Sequence, residues 1–239
     1  MLINLRNALM AGKRTPTAKD YVQSGLIAMW DGIENAGWGT HDPNATVWKD
    51  LVGSLDAEKS GSPMVGDKFT NTSNGYWILP SGILSIVQAD NLTAEVVFKS
   101  DGIDRSNQGV VGIGDNRALW LFFGNPPSGT SSSLTWQVRS SSGIRVWYNE
   151  GTFGAGTHSS SVVNNNKVCN CYLDATLRTK TVDVAAGTST SSSSLWLGRM
   201  TGYNNFYGNI YSIRLYSRAL TADEIAANYA IDKARFNLP

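Results

Sequence analysis

The 239-residue chain is poor in the residues that build metal centres, disulfide frameworks and proton-transfer sites. It contains two cysteines, two histidines and five glutamates. Structural zinc sites need four nitrogen or sulfur ligands at recognisable spacings, which this chain does not offer. Cys169 and Cys171 lie two apart in a strand-like stretch, so both side chains share a face and a bond between them would be strained. We predict two free cysteines buried as small hydrophobic side chains.

Charge of one sign and long apolar runs are also lacking. Twenty basic and nineteen acidic residues nearly cancel, so no strong field attracts nucleic acid or an anionic membrane. The longest apolar run, residues 118–123, is far shorter than a membrane span. The sequence therefore predicts neither a nucleic acid nor a membrane as partner.

Motifs of nucleophilic catalysis and phosphate binding are missing. No Gly-x-Ser-x-Gly string occurs, and His41 and His158 lie in polar stretches with nothing nearby to indicate a triad. The glycine-rich run 109–114 lacks the lysine and the following helix of a phosphate-binding loop. It is interpreted as a strand and a turn.

The end of the chain carries the clearest pattern. Polar and apolar residues alternate over 207–216, which predicts a half-buried strand with Tyr211, Ile213 and Leu215 on one face and Ser212 and Arg214 on the other.

A capped helix should follow this strand. Thr221 and Glu224 have the spacing of a capping box, and Leu220 can pack on Ile225 as a hydrophobic staple. We predict that the helix begins at Ala222.

Between the ends, serine-rich and asparagine-rich tracts separate short strand-like runs at intervals of roughly 10 to 15 residues, a pattern typical of an antiparallel all-β sandwich or barrel. The first residues differ. Apolar positions 2, 5 and 9 before Gly12 predict a short amphipathic helix over 1–14, and a frayed tail explains the same residues equally well. We divide the chain into an attachment segment, 1–20, and a domain, 21–239.

Several segments resemble laminin G-like domains of the concanavalin A-like lectin/glucanase superfamily. The strongest is 208–225, with the pattern Gly-x-Ile-x-x-Ile-Arg-Leu-Tyr and then Ser-Arg-Ala-Leu-Thr-x-x-Glu-Ile, and supporting segments lie at 25–31, 48–53, 92–99 and 195–199. The resemblance implies an all-β fold, a two-sheet antiparallel jelly-roll sandwich, with a short N-terminal and a C-terminal helix. It therefore covers nearly everything except the N-terminal segment.

The resemblance also bears on catalysis and calcium. Glucanases of the superfamily carry Glu-x-Asp-x-x-Glu on one strand, whereas the nearest string here, from Glu95, has Val97 and Ser100 at the two later positions. We expect no enzyme, although pairs of aspartates stay open. Laminin G-like domains often bind calcium, and the candidate ligands here are Asp101, Asp104 and Asn107. An ordinary turn capped by its own side chains explains these three residues as well.

Aromatic residues are abundant and suggest carbohydrate binding. Sugar rings stack on flat aromatic side chains while amides and charged groups bond the hydroxyls. Three stretches have this composition, and their candidate ligand-binding residues are Trp38, His41, Arg145, Trp147, Tyr203, Asn204 and Asn205. The tryptophans of strand-like runs are assigned to the core, namely Trp30, Trp48, Trp120, Trp136 and Trp196.

Three functions are compatible with these patterns: a binding module for a polysaccharide or glycoprotein glycan, a structural protein that coats an assembly, and a glycoside hydrolase with atypical acids. Arg6 interrupts the first apolar stretch, which is unlike a secretory signal, so synthesis in the cytoplasm without export is expected. A start of this kind joined to a laminin G-like domain resembles small virion proteins of phages and prophages of gut bacteria. That resemblance implies virion proteins, or further copies of this chain, as partners through residues 1–14.

Overall fold

The computed structural model describes residues 14–101, 108–114, 118–123, 134–138, 156–166, 168–178, 195–202 and 204–238, and the backbone of 144–147 and 181–184. Its strands are Leu26–Asp31 (β1), Val47–Trp48 (β2), Ala57–Gly61 (β3), Met64–Val65 (β4), Thr70–Asn71 (β5), Gly75–Ile78 (β6), Asn91–Ser100 (β7), Gln108–Ile113 (β8), Leu119–Phe123 (β9), Leu134–Val138 (β10), Ile144–Trp147 (β11), Thr157–Asn165 (β12), Val168–Leu173 (β13), Thr176–Arg178 (β14), Thr181–Val184 (β15), Leu195–Leu197 (β16), Asn204–Asn205 (β17) and Gly208–Tyr216 (β18). Its α-helices are Ile83–Val87 (α1) and Ala222–Phe236 (α2).

Most of these strands form two sheets packed face to face. The first sheet has the order β14-β13-β12-β7-β18-β5-β4, with β1 also paired to β18. The second has the order β10-β9-β8-β16-β6-β3-β2, with β17 paired to β8, and β11 and β15 form a separate ribbon. Neighbouring strands are antiparallel apart from β17 beside β8. The predicted two-sheet jelly-roll sandwich is confirmed.

The core between the sheets is built around large aromatic side chains. Trp30, Trp48, Trp77 and Trp136 are all buried there. Each indole N–H donates to an oxygen 2.8–3.0 Å away, on Leu55, Asp31, Thr70 and Ser160 respectively. A buried indole without such a partner would cost free energy. The predicted core positions of Trp30, Trp48 and Trp136 are confirmed, and so is the burial of both free cysteines.

The C-terminal helix starts where the capping box predicts. Thr221 precedes Ala222, its hydroxyl accepts from the Glu224 backbone N–H, and the Glu224 carboxylate accepts from the Thr221 N–H. Leu220 and Ile225 lie in one buried cluster, as the staple requires. Helix α2 covers the outer face of the first sheet.

That cover changes the interpretation of β18. Ser212 and Arg214, predicted on the polar face of a half-buried strand, are both fully buried beneath α2. The prediction that Tyr211 shares a face with Leu215 is wrong. A β-bulge between Ile210 and Ser212 adds a residue to β18, so Tyr211 packs beside α2, with its ring centroid 5.5 Å from that of Phe236.

The start of the described chain packs onto the same side. Ala18 and Tyr21 are buried in the cluster that holds the staple. The Val22 N–H donates to the side chain of Asn228 in α2, which ties the beginning of the domain to its end. The predicted helix over 1–14 lies outside the described residues apart from Arg14, and the division at residue 20 stays a prediction. In the described part of the chain, no helix is both long and apolar enough to span a membrane.

Candidate functional site

Trp38 lies at the tip of a tight turn after β1. Gly37 and Gly39 flank it with φ angles of +126° and +68°, in the region that favours glycine. The buried Glu34 carboxylate accepts from the Gly39 N–H at 2.8 Å and so fixes the base of the turn. Trp38 is 38% exposed, and the Lys19 ammonium lies 5.3 Å from its ring centroid. The turn thus presents an aromatic face and a cation.

His41 follows in the same loop. The neighbouring Asn35 and Asp42 exchange two hydrogen bonds of 2.8 Å, which close the loop. Both ring nitrogens of His41 are buried, and neither has a hydrogen-bond partner among the residues that the structure describes. In this conformation the imidazole presents no nitrogen to solvent, and its role as a sugar ligand stays a prediction.

The other predicted positions lie elsewhere. Asn204 and Asn205 form β17 beside the start of β8, where Asn204 is exposed and Asn205 half-buried. Arg145 and Trp147 lie on β11, opposite Asp183 and Thr181 of β15; their side chains and the whole of Tyr203 are outside the described residues.

Asp101 follows β7 at the rim of the first sheet. It is exposed, and Asn71 donates to its carboxylate at 3.4 Å and to the Asn209 side chain at 2.8 Å. Asp104 and Asn107 are outside the described residues. Within those residues, no group of three or more histidine, cysteine or acidic side chains is placed to hold a metal ion. Calcium binding stays a prediction.

A half-exposed aromatic group lies on the outer face of the second sheet. The ring centroids of Tyr76 on β6 and Trp196 on β16 are 5.4 Å apart. The Arg199 guanidinium carbon lies 4.9 Å from each centroid. Ile78 pairs with Trp196 across the two strands and is 40% exposed. We call these four residues the aromatic platform.

Strand alternation explains why the platform faces outward. Leu195 and Leu197 are buried in the core on either side of Trp196, and Trp77 is buried between Tyr76 and Ile78. Side chains that alternate with core residues must point to the opposite face. Trp196 is therefore not a core residue, and that prediction is wrong.

Two glycines of β8 make room for the chain that carries Arg199. After β16, residues 198–200 pack closely against β8, and the Gly198 N–H donates to the Val110 carbonyl at 2.7 Å. A Cβ placed on Gly112 would stand 2.3 Å from the Arg199 carbonyl oxygen, and one on Gly109 would stand 2.4 Å from a side-chain atom of Met200. The glycine-rich run is thus a strand, as predicted, with a packing role.

The 198–200 segment, which crosses β8, divides the outer face of the second sheet in two. Met200 packs with Trp120 and Phe122 in a buried cluster, so Trp120 is buried, as predicted, but on the face opposite the core. Tyr76, Ile78 and Trp196 keep their partial exposure on the other side of the crossing. Tyr76 and Trp196 meet on this face although they are about 120 residues apart in the chain. In the sequence, only the Leu-Trp-Leu pattern of β16 could have indicated an outward tryptophan.

Four of the five buried carboxylates in the described chain pair with Arg214 of β18 or with Arg235 of α2. Glu95 accepts from Arg214 at 2.9 Å and Asp232 accepts from the same guanidinium at 2.8 Å. Asp31 and Glu34 accept from Arg235 at 2.7 and 3.1 Å.

Burial is the largest cause that raises the pKa of Asp31 and of Glu95, and the facing arginines oppose it. Glu95, the one candidate from the glucanase pattern, thus faces a helix instead of a cleft.

The family model described as the concanavalin A-like lectin/glucanases superfamily, a laminin G-like model, matches residues 71–226. The chain belongs to this superfamily. A comparison with curated protein sequences found no match.

Solved structures share the fold at low identity. A Trypanosoma rangeli sialidase in complex with 2,3-difluorosialic acid superposes with a TM-score of 0.59 at 13% identity, over 97% of this chain and 38% of the sialidase. The receptor binding domain of botulinum neurotoxin C/D mosaic serotype gives 0.61 at 13%, over 86% and 51%. Domain 4 of AbnA, a GH43 extracellular arabinanase from Geobacillus stearothermophilus, in complex with arabinotriose, gives 0.58 at 14%, over 87% and 100%. The chain spans about 38% of the length of the sialidase it matches, and these likenesses show the fold alone.

Proposed function

We propose that the protein is a non-catalytic carbohydrate-binding module used for adhesion, and that the aromatic platform is its principal contact. The observation that carries this proposal is the pair of half-exposed rings, Tyr76 and Trp196, beside an arginine on the outer face of the second sheet. A sugar ring can stack on such rings while the guanidinium donates to its oxygens. Trp38 with Lys19 offers a second contact of the same type.

Two further observations support binding without catalysis. Of the five buried carboxylates in the described chain, four are occupied by an arginine. The fifth, Asp50, accepts from three backbone N–H groups, whereas glycoside hydrolysis needs two carboxyl groups that face the substrate. Among proteins of this fold, the arabinanase domain was solved with arabinotriose, which makes an oligosaccharide a reasonable ligand class.

A glycan array probed with the full chain tests the proposal. Binding should fall by about tenfold or more in Trp196→Ala and in Tyr76→Ala, since one aromatic stacking contact contributes roughly 1 to 2 kcal/mol. Val168→Ala, which shortens an exposed side chain on the first sheet, is the matched control and should bind normally. Each variant needs the wild-type circular dichroism spectrum. Absence of binding to every glycan would refute the proposal, and release of reducing ends from a bound glycan would refute its non-catalytic part.

We also propose that the module is carried on a phage virion, at its surface or tail, where it contacts host glycans. This rests on the resemblance of the N-terminal sequence to phage virion proteins, with residues 1–14 attaching the domain to virion proteins or to further copies of itself. Purified virions from an induced lysogen should contain the chain, and a chain lacking residues 1–13 should be lost from them. Virions without the chain would contradict this placement but leave the glycan proposal standing.

A further inference from the structure

We infer that the aromatic platform selects acidic sugars, and that Arg199 binds the carboxylate of the ligand. The inference rests on the proposed function and specifies its substrate class. Arg199 is half-buried and lies 4.9 Å from the centroids of both platform rings. Within the described part of the chain, it has no hydrogen bond or ion pair with an acceptor.

Four other arginines of the described residues do bind carboxylates. Arg214 and Arg235 are buried and bind carboxylates, and at the surface Arg218 and Arg14 pair with Glu224 and Asp20. Partly burying a guanidinium removes water from it, so an acceptor is normally supplied to compensate. Arg199 has the burial without the acceptor, which points to an acceptor brought by the ligand.

A guanidinium that lies over aromatic rings can keep its edge for an acceptor. Stacking on aromatic rings uses the face of the planar group, whereas its five N–H donors lie in the plane and point outward. A carboxylate is the planar acceptor that matches two parallel N–H groups. A pyranose that bears a carboxylate can therefore place its ring on Trp196 and its acidic group against Arg199.

An acidic residue on the same face should weaken the binding of an acidic sugar, and this offers a test of the inference. Glu58 on β3 pairs with Ile78 and is exposed, two strands away from Trp196. This separation is about 10 Å across the sheet, close to the screening length at physiological salt. Glu58 should repel an anionic ligand weakly. Its removal should strengthen binding, opposite in sign to the loss of Arg199.

The experiment uses an array in which each uronate-bearing or sialate-bearing oligosaccharide is paired with its own methyl ester, together with sulfated oligosaccharides. Esterification removes the charge and keeps the ring, so each pair isolates the carboxylate. Wild-type protein should bind the acids at least about tenfold better than their esters, the discrimination expected from a charge-assisted pair.

Variants then show which residue causes the preference for acids over esters. Arg199→Gln should bind acid and ester alike and retain weak binding through the rings, whereas Arg199→Lys should keep part of the preference. Glu58→Gln should bind the acids slightly better at low salt. Thermal unfolding of each variant shows whether the fold is kept.

The outcomes separate the two proposals. Equal binding of acids and esters by the wild type, a preference unchanged in Arg199→Gln, or a preference for sulfated sugars over carboxylated ones would overturn the acidic-sugar inference alone. No binding to any member of the array would overturn both it and the glycan-binding function.

Discussion

Arg214 and Asp232 join the last strand to the last helix through two hydrogen bonds of 2.8 Å, from Nη1 to Oδ1 and from Nη2 to Oδ2. Both side chains are fully buried, and Tyr21 and Ser159 also donate to the Asp232 carboxylate. A buried pair of this kind is costly to leave half-made, because the remaining group loses two hydrogen bonds that no water can replace. The pair therefore fixes how α2 sits on the first sheet.

Breaking this pair should destabilise the whole domain. Asp232→Ala leaves the Arg214 charge facing only Glu95, and we expect a loss of about 3 to 5 kcal/mol in the free energy of unfolding, measured by urea denaturation. Asp223→Ala removes an exposed acid from the first turn of the same helix and should cost less than about 1 kcal/mol. A loss in Asp232→Ala no larger than in this control would show that the pair does not hold the helix.

A methyl group on Gly112 should disturb the aromatic platform. Gly112→Ala brings a Cβ to 2.3 Å from the Arg199 backbone oxygen, so the 198–200 segment must move and carry Arg199 away from the rings. We expect lower stability and weaker glycan binding, measured by thermal unfolding and on the glycan array. Gly82→Ala meets only an ordinary contact at 3.7 Å in a helical conformation and should match the wild type. Unchanged stability and binding in Gly112→Ala would contradict the close packing.

Acidic pH should remove part of the stability that the first turn of the C-terminal helix contributes to the fold. Hydrogen bonds from Arg218 are the largest cause that holds the pKa of Glu224 below its ordinary value of 4.5. A carboxyl with a lowered folded pKa stabilises the fold above its unfolded pKa, and this part is lost as pH falls through the folded pKa.

Glu224→Gln keeps the capping geometry without the charge. Wild type should be more stable than this variant at neutral pH, and the difference in unfolding free energy should shrink below about pH 4.5. Glu58→Gln makes the same change at an exposed site and should change the unfolding free energy less at neutral pH. The prediction fails if the Glu224→Gln difference is constant from neutral to acidic pH.

The two thiols should be unreactive in the folded protein. Cys169 and Cys171 are at most 1% exposed, and the Cys169 thiol donates to the Asn164 side chain. A thiol reagent should label neither cysteine under native conditions and both after unfolding in urea, since reaction needs an accessible thiolate. Labelling of either residue at the rate of a free thiol in the native protein would contradict this packing.

Local patterns predicted a large part of the fold. The capping box located the start of α2 at Ala222 because its two hydrogen bonds form within four residues and need no tertiary contact. The strand over 208–216 was predicted to within one residue because alternation is also local. The buried cysteines followed from their own spacing.

The face assignments were less predictable. Alternation groups residues that share a face, but it does not say what covers that face. Arg214 alternates with Ile213 and Leu215 like a solvent-facing residue, yet α2 covers it and supplies Asp232. Trp196 alternates with Leu195 and Leu197, and its place in a strand-like run suggested the core. In the structure, Leu195 and Leu197 fill the side of β16 that faces the core.

The sequence by itself determined the family, the two-sheet sandwich and the capped last helix, because these depend on periodicity and short-range hydrogen bonds. Tertiary structure alone decided the candidate site. Tyr76 and Trp196 meet because β6 and β16 pair in the second sheet, and Arg199 reaches both rings because Gly112 lets the chain cross β8 closely. No local pattern encodes such a meeting, since it depends on strand pairing between distant segments and on the space left by a missing side chain.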